Sequence, residues 1–342
     1  MSPLRSSLRA TLFCALAAVP LEAQQAPPKQ FAQPAPVKEV TITAIPGVID
    51  GGVQWKEVWH GDATADGIIG FQGGILFAQE QTNHIGRIDK NGKFSVYLDT
   101  PHGPGAVAIG PKGQIYTVER SCTDPGGHLG TKPQDCKEPT DVAVLTPTRK
   151  ILADNMDGMP LGRVNDIVAS KKGMLYFTSR TPLFLNPSTG KVTAFGQGIF
   201  PNGLGLSPDE KTLYVTNRQT IMAFDIGPDG MPTNQREFAK LDTGGNGDGM
   251  AIDAMGRVWN TDTGNSVIHV FSPDGKSLGT IPTPRSPITV AFSGPGKKTL
   301  YVGCMGALID GKEFRTAPGV RNVAMTVYTV PVLTAGVSGR AK

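Results

Sequence analysis

Residues 202–216 read NGLGLSPDEKTLYVT, a short apolar strand followed by a polar turn and a second apolar strand. The same pattern starts at six places in the chain: Asp66, Gly105, Asn165, Asn202, Asp248 and Ile288. Successive starts are 39, 60, 37, 46 and 40 residues apart. Alternating runs between the copies bring each unit to about four short strands. A repeat of roughly 40 residues with four strands is typical of a β-propeller blade.

Six copies predict an all-β fold, a six-bladed β-propeller with four-stranded blades spanning residues 37–335. The two ends of the chain must meet to close such a ring, and β-prone runs occur near both, at Val40–Ile45 and Met325–Val332. We therefore expect an N-terminal strand to complete the last blade and cover an otherwise exposed sheet edge. Two tandem β-sandwiches are the alternative, but they would not give so regular a repeat.

The composition excludes several classes of protein. The 342 residues include 43 Gly and 28 Pro, and only 18% are charged, with a net charge of +4. No run of Lys and Arg exceeds two residues, which disfavours nucleic-acid binding and a polybasic membrane patch. Beyond the N-terminus no apolar run reaches 18 residues, so no integral membrane anchor is expected.

The N-terminus has the layout of a secretory signal peptide. Arg5 and Arg9 precede an apolar run over residues 10–20, and Ala23 offers a small residue for cleavage. We predict a signal peptide over 1–23, a disordered linker rich in Gln, Pro and Ala over 24–36, and a C-terminal tail over 336–342. The mature protein is then periplasmic or secreted. A hydrophobic N-terminal helix is the alternative.

Export changes what the cysteines imply. Cys122 and Cys136 lie in a Gly- and Pro-rich stretch, 121–139, whose insertion accounts for the long second spacing. An oxidising compartment favours a disulfide between them, with two free thiols as the alternative. We expect this loop to form a lid over the substrate entrance. Cys304 ends an apolar strand and is expected to be a buried packing residue.

The first residue of each repeat should face the channel at one common end. Asp66, Asn165, Asn202 and Asp248 occupy four of these six positions. Carboxylate and amide oxygens are the ligands that Ca²⁺, Mg²⁺ and Mn²⁺ prefer. Asp and Asn also cap turns, but turn chemistry alone poorly explains four equivalent positions. The pattern therefore predicts a divalent-cation site in the channel.

The end of each second strand should return to the same face. In the second unit this places Glu119 and Arg120 near the channel mouth, so both are candidates for substrate binding. Ion pairing between blades is the alternative interpretation of Arg120.

Three segments carry a family resemblance. The runs Arg163–Asp166, Pro201–Asp209 and Gly247–Met250 resemble hallmark segments of the gluconolactonase/regucalcin family, also called senescence-marker-protein-like. The resemblance covers about residues 50–330. It implies a six-bladed propeller with one divalent cation in its channel and, in many members, hydrolysis of sugar lactones.

The resemblance also implies residue roles. Asp66, Asn202 and Asp248 would be the metal ligands, while Arg163 and Asn165 would contact substrate and Asn165 would also reach the metal. This chain has Asp66-Gly67-Ile68 where the family usually has Glu-Gly-Pro. The shorter Asp side chain loses about 1.5 Å of reach.

These observations predict a metal-dependent hydrolase that opens a sugar-like lactone or a related ester. We expect the cation to be Ca²⁺, with Mg²⁺, Mn²⁺ or Zn²⁺ as alternatives. It would polarise the carbonyl, and Asp248 would be the general base. There is no Gly-x-Ser-x-Gly elbow for a serine nucleophile. Two alternatives are a non-catalytic extracytoplasmic propeller that binds a ligand or protein, and another chemistry on this scaffold, such as a strictosidine-synthase-like condensation.

Overall fold

The computed structural model describes residues 32–100, 102–120, 140–242 and 244–342. The predicted signal peptide, most of the predicted linker, and the loop that contains Cys122 and Cys136 lie outside these residues. Within them, the only helical element is a single 3₁₀ turn at Pro295–Lys297. None of the described helices is long and apolar enough to cross a membrane.

Six four-stranded antiparallel sheets form the blades of a six-bladed β-propeller, so the predicted fold is confirmed. The first strand, β1 (Lys56–Gly61), belongs to the last blade. Blade 1 consists of β2 (Asp66–Phe71), β3 (Gly74–Gln79), β4 (His84–Ile88) and β5 (Phe94–Asp99), and blade 2 of β6 (Pro104–Ile109), β7 (Ile115–Glu119), β8 (Asp141–Val144) and β9 (Lys150–Ala153). A small hairpin of β10 (Asn155–Met156) and β11 (Met159–Pro160) follows. Blade 3 consists of β12 (Ile167–Ala169), β13 (Leu175–Thr178), β14 (Pro182–Asn186) and β15 (Lys191–Ala194). Blade 4 consists of β16 (Pro201–Leu206), β17 (Thr212–Asn217), β18 (Thr220–Ile226) and β19 (Pro232–Lys240), and blade 5 of β20 (Gly247–Ile252), β21 (Val258–Asp262), β22 (Val267–Phe271) and β23 (Ser277–Pro282). Blade 6 consists of β24 (Pro287–Ser293), β25 (Thr299–Met305), β28 (Met325–Pro331) and β1. A hairpin of β26 (Leu308–Ile309) and β27 (Lys312–Glu313) lies between β25 and β28 in the sequence.

The innermost strands surround the central channel. Each of β2, β6, β12, β16, β20 and β24 contacts the innermost strand of both neighbouring blades, which closes the ring. The apolar core lies mainly between blades; one cluster joins Val118 of blade 2 to Ile167 and Phe177 of blade 3. Cys304 is fully buried in another such cluster, as predicted.

An N-terminal strand closes the ring, but it is not the run that the sequence suggested. β1 pairs with β28 through Lys56↔Thr329 to Gly61↔Met325, which completes blade 6. Residues 40–45 form no strand, because the chain turns back on itself through a bridge between Ile45 and Ile49. Ile42 and Ile45 instead pack into the core beside blade 5. Their apolar spacing therefore reflects burial and not strand pairing.

The predicted tail lies against the inner strands at the far end of the channel. The Ala341 carbonyl accepts a hydrogen bond of 2.7 Å from the Gly70 N–H. The Arg340 guanidinium donates to the Ser207 carbonyl at 2.9 Å. The Lys342 ammonium forms a buried ion pair with Asp166. Residues 340–342 therefore close over inner strands β2, β6 and β12.

Candidate functional site

One end of the channel opens into a cavity of about 550 Å³. The structure brings six of the predicted site residues to its wall: Asp66, Arg120, Arg163, Asn165, Asn202 and Asp248. They come from five different blades or interblade segments, so only the closed ring places them together. Ile288, Met305, Val323 and Met325 form an apolar side of the same cavity.

Four oxygen-bearing side chains converge at the floor of this cavity. Asp66, Asn165, Asn202 and Asp248 also surround one small void below it. The Asn165 side-chain amide donates a hydrogen bond of 2.5 Å to Asn202 Oδ1, which fixes these two residues relative to each other. The predicted convergence at the channel is therefore present in the structure.

Local strand geometry aims these side chains inward. The register of β2 against β3 shifts between Asp66 and Ile69, and that of β16 against β17 shifts between Pro201 and Leu204. Such bulges redirect side chains at strand ends. A glycine follows Asp66, Asn202 and Asp248, where the next blade approaches closely: a Cβ at Gly67 would lie 2.3 Å from Ala106 Cα.

Asp248 has the most unusual electrostatic environment of the four. Burial raises its pKa well above the ordinary value, and the nearby Asp66 and Asp166 carboxylates raise it further, against smaller opposing effects of Arg120 and Lys342. Its carboxylate keeps some contact with solvent through the cavity. The floor therefore carries negative charge that the surrounding protein compensates only in part.

This donor set fits a hard divalent cation. The converging ligand atoms are carboxylate and amide oxygens, with no thiol or imidazole among the cavity-lining residues that the structure describes. A cation among Asp66, Asn202 and Asp248 would also offset the charge that raises the Asp248 pKa. Both Asp66 carboxylate oxygens and Asn202 Oδ1 already accept hydrogen bonds, from Gly67, Arg120 and Asn165, which a bound cation would have to share.

Arg120 links three blades beneath the cavity. Its side chain is almost fully buried. Nε donates to Glu80 at 2.9 Å, Nη2 to Asp66 at 3.2 Å and Nη1 to Asn165 Oδ1 at 2.5 Å. Arg120 thus lies in the cavity wall, as the substrate-binding prediction required, and also forms the interblade ion pair that was the alternative.

Residues 72–305 match the family described as SMP-30/Gluconolactonase/LRE-like region. The chain belongs to this family. The family inferred from the motifs is therefore confirmed.

Relatives of known name support this assignment. The gluconolactonase of Zymomonas mobilis is 27% identical over 300 residues, covering 75% of this chain and 77% of that protein. The pentonolactonase XacC of Haloferax volcanii is 27% identical over 186 residues, which is 51% of this chain and 64% of that protein. A gluconolactonase structure from Xanthomonas campestris superposes with a TM-score of 0.66 at 20% identity, covering 90% of this chain and 99% of that one. This last likeness shows the fold.

Glu119 lies elsewhere than the sequence placed it. It is fully buried, is not among the residues that line the cavity, and pairs with Arg149, which also contacts Asp141 at 3.2 Å. Consecutive residues of an extended strand point to opposite faces, so Arg120 and Glu119 cannot both face the channel. His102 joins this group, and one ligand atom each of His102, Glu119 and Asp141 lie within 4.8 Å of one another.

The buried pair of carboxyl groups predicts a pH dependence of stability. Burial, and then the Glu119 charge, raises the pKa of Asp141 to about 8 from an ordinary 3.8. The folded protein therefore retains a proton that the unfolded chain releases. This contribution is fully present below about pH 4 and is lost as the pH rises through about 8. The free energy of unfolding should therefore decline between about pH 4 and pH 8, and we expect Asp141→Asn to make this decline shallower. Urea titrations at several pH values across this interval would measure it.

Asp274→Asn is the matched control, because Asp274 lies at an exposed hairpin and its pKa is lowered to about 2 by Ser272 and Lys276. This variant should leave the decline in unfolding free energy between pH 4 and pH 8 unchanged. A wild-type protein whose stability does not fall between pH 4 and pH 8 relative to Asp141→Asn would contradict the assignment.

The sequence places Glu80 on the ligand face, at the end of a second strand, but assigns it no role in the site. Glu80 lines the cavity, is buried, and has one carboxylate oxygen without a hydrogen-bond partner. The available signal was its position at the end of the second strand of blade 1, equivalent to that of Arg120 in blade 2.

Proposed function

We propose that the protein is a lactone hydrolase that opens a small sugar-like lactone or a related ester, with a divalent cation held by Asp66, Asn202 and Asp248. The observation that carries this proposal is the convergence of these three residues with Arg163 and Asn165 on one cavity in a member of this family. The names of the Zymomonas and Haloferax relatives support the lactone as substrate class.

The cation, when bound, would supply Lewis-acid polarisation of the substrate carbonyl. Asp248 accepts a proton from the attacking water, whose oxygen forms the new bond to the carbonyl carbon. The ring C–O bond then breaks, and the proton passes to the departing alkoxide, which gives a hydroxy acid. All atoms of the water are retained in this product.

Other residues bind and orient the substrate. Arg163 and Asn165 offer hydrogen-bond donors to the carbonyl and hydroxyl oxygens of the substrate. Arg120 holds Asn165 in place by donating to the Asn165 side-chain oxygen Oδ1. The apolar side, with Met305 and Met325, packs on the carbon face of the ring and excludes water from it. Polar groups then fix orientation while the apolar surface supplies contact area.

The test is a panel of aldono-1,4- and 1,5-lactones and simple esters, assayed with and without a chelator. We expect hydrolysis of at least one lactone, its loss after chelation, and its return on adding back Ca²⁺, Mg²⁺, Mn²⁺ or Zn²⁺ separately. Melting temperatures measured in parallel show whether chelation unfolds the protein.

The outcomes separate the parts of this proposal. Full hydrolysis after chelation would refute the cation while leaving the lactonase intact. No hydrolysis of any lactone or ester by metal-loaded protein would refute the enzyme and restore the non-catalytic binding propeller, which no described feature favours. Export and the Cys122–Cys136 disulfide stay predictions, which periplasmic fractionation and thiol titration would check.

A further inference from the structure

A second groove lies beside the catalytic cavity on the same face of the propeller. It has a volume of about 640 Å³ and is lined chiefly by Phe200, Arg218, Gln219, Asn246 and Gly264. Asn246 also borders the cavity that contains Asp248. The groove and the cavity are therefore neighbours that share a wall.

Chain connectivity fixes how near the two are. Phe200 immediately precedes Pro201 and Asn202, both of which line the catalytic cavity. Two residues of extended chain span at most about 7 Å. A molecule whose lactone lies at Asn202 can therefore reach Phe200 with its next substituent.

Phe200 is an exposed aromatic ring held on one side. Its side chain is 60% exposed. The Arg218 guanidinium lies over the ring at 3.7 Å from its centroid, a close cation–π contact. The backbone N–H of Phe200 donates to Asn217 Oδ1 at 2.9 Å. The ring is thus positioned, while the surface not covered by Arg218 is open to a ligand.

Arg218 adopts a backbone conformation that costs free energy. Its φ is +54°, in the left-handed region that favours glycine or asparagine. It belongs to the two-residue turn between the paired residues Asn217 and Thr220. Gln219, the other turn residue, donates to the Gly244 carbonyl at 2.9 Å. The turn therefore keeps the guanidinium beside the ring, although glycine would suit the backbone better.

We propose that this groove binds a sugar ring attached to the lactone, so that the preferred substrate is a glycosylated aldonolactone. The inference rests on the proposed lactonase function. One face of a pyranose presents C–H groups, which stack on an aromatic ring, while the hydroxyls at its edge hydrogen-bond to polar side chains. Phe200 supplies the first surface, and Arg218 and Asn246 supply the second. Gly264 also lines the groove and adds no side chain to it.

The test compares glucono-1,5-lactone with its 4-O-glucosyl derivative. We expect a higher kcat/KM for the disaccharide lactone, which Phe200→Ala lowers by about tenfold while changing the glucono-1,5-lactone value little. Phe200→Tyr should retain the preference, because it keeps the aromatic ring. Met255→Ala, at a residue that is 69% exposed and outside both cavities, is the control and should alter neither substrate.

Equal loss on both lactones, or no loss on either, would overturn the subsite. A binding measurement keeps this separate from the chemistry: cellobiitol, which cannot be hydrolysed as a lactone, should show saturation-transfer NMR contacts with wild type and lose them in Phe200→Ala. If the metal-loaded protein hydrolyses no lactone, the proposed function fails, and the cellobiitol measurement still decides the groove. Absence of cellobiitol contacts in wild type would count against it.

Discussion

Asp248→Asn is expected to lower kcat/KM for lactone hydrolysis by about 10²- to 10⁴-fold, the usual contribution of a positioned general base. The fold should survive. Burial and the neighbouring Asp66 and Asp166 carboxylates raise the pKa of Asp248, so replacing this carboxylate by an amide of the same shape removes repulsion between like charges and should be tolerated by the folded state. Steady-state kinetics and calorimetric melting on the same preparation would measure both effects.

The control for this variant is Asp274→Asn, the same chemical change at an exposed hairpin where the carboxylate pairs with Lys276. It should keep full activity. An Asp248→Asn protein that hydrolyses lactones at the wild-type rate would show that another group activates the water. A melting temperature well below that of wild type would show that the carboxylate is needed for the fold.

Arg120→Met should destabilise the protein by about 3–5 kcal/mol, the range for removing one partner of a buried ion pair. The change would leave Glu80 and Asp66 without the Arg120 guanidinium that bridges them. Activity should fall as well, since Asn165 would lose the donor that orients it. Urea denaturation gives the free energy of unfolding, and kinetics on the folded fraction gives the loss of activity.

Two comparisons sharpen this prediction. Adding Glu80→Gln to Arg120→Met should recover part of the stability, because it removes the uncompensated charge. Arg236→Met, which breaks a half-exposed ion pair with Asp225, should cost at most about 1 kcal/mol. Arg120→Met would contradict the assignment if it cost no more than Arg236→Met.

The sequence predicted those site residues that repeat in phase with the blades. Asp66, Asn202 and Asp248 are each the first or second residue of an innermost strand, so equivalent positions in the repeat become neighbours around the axis. Glu119 was misplaced because position at a strand end does not specify which face a side chain takes. The strand that closes the ring was placed 16 residues too early, because the apolar run at Val40–Ile45 resembles a strand, although Ile42 and Ile45 are buried beside blade 5 without strand pairing.

Features outside the repeat could not be inferred in the same way. The Glu80–Arg120 pair depends on how two blades pack, and the contact between Phe200 and Arg218 depends on one strained turn. The ion pair of Lys342 with Asp166 joins residues 176 positions apart and follows no periodicity. Such contacts are consequences of three-dimensional packing that a one-dimensional pattern does not contain.

The position of residues 340–342 over the inner strands has a consequence for turnover. Among the residues that the structure describes, 340–342 lie across the far end of the inner strands, and the cavity beside Asp248 lies at the opposite end. The hydroxy acid formed from a lactone must depart before another lactone arrives, and as acid accumulates it occupies the same opening. Turnover then slows progressively in a closed vessel, and the slowing is relieved by raising the lactone concentration.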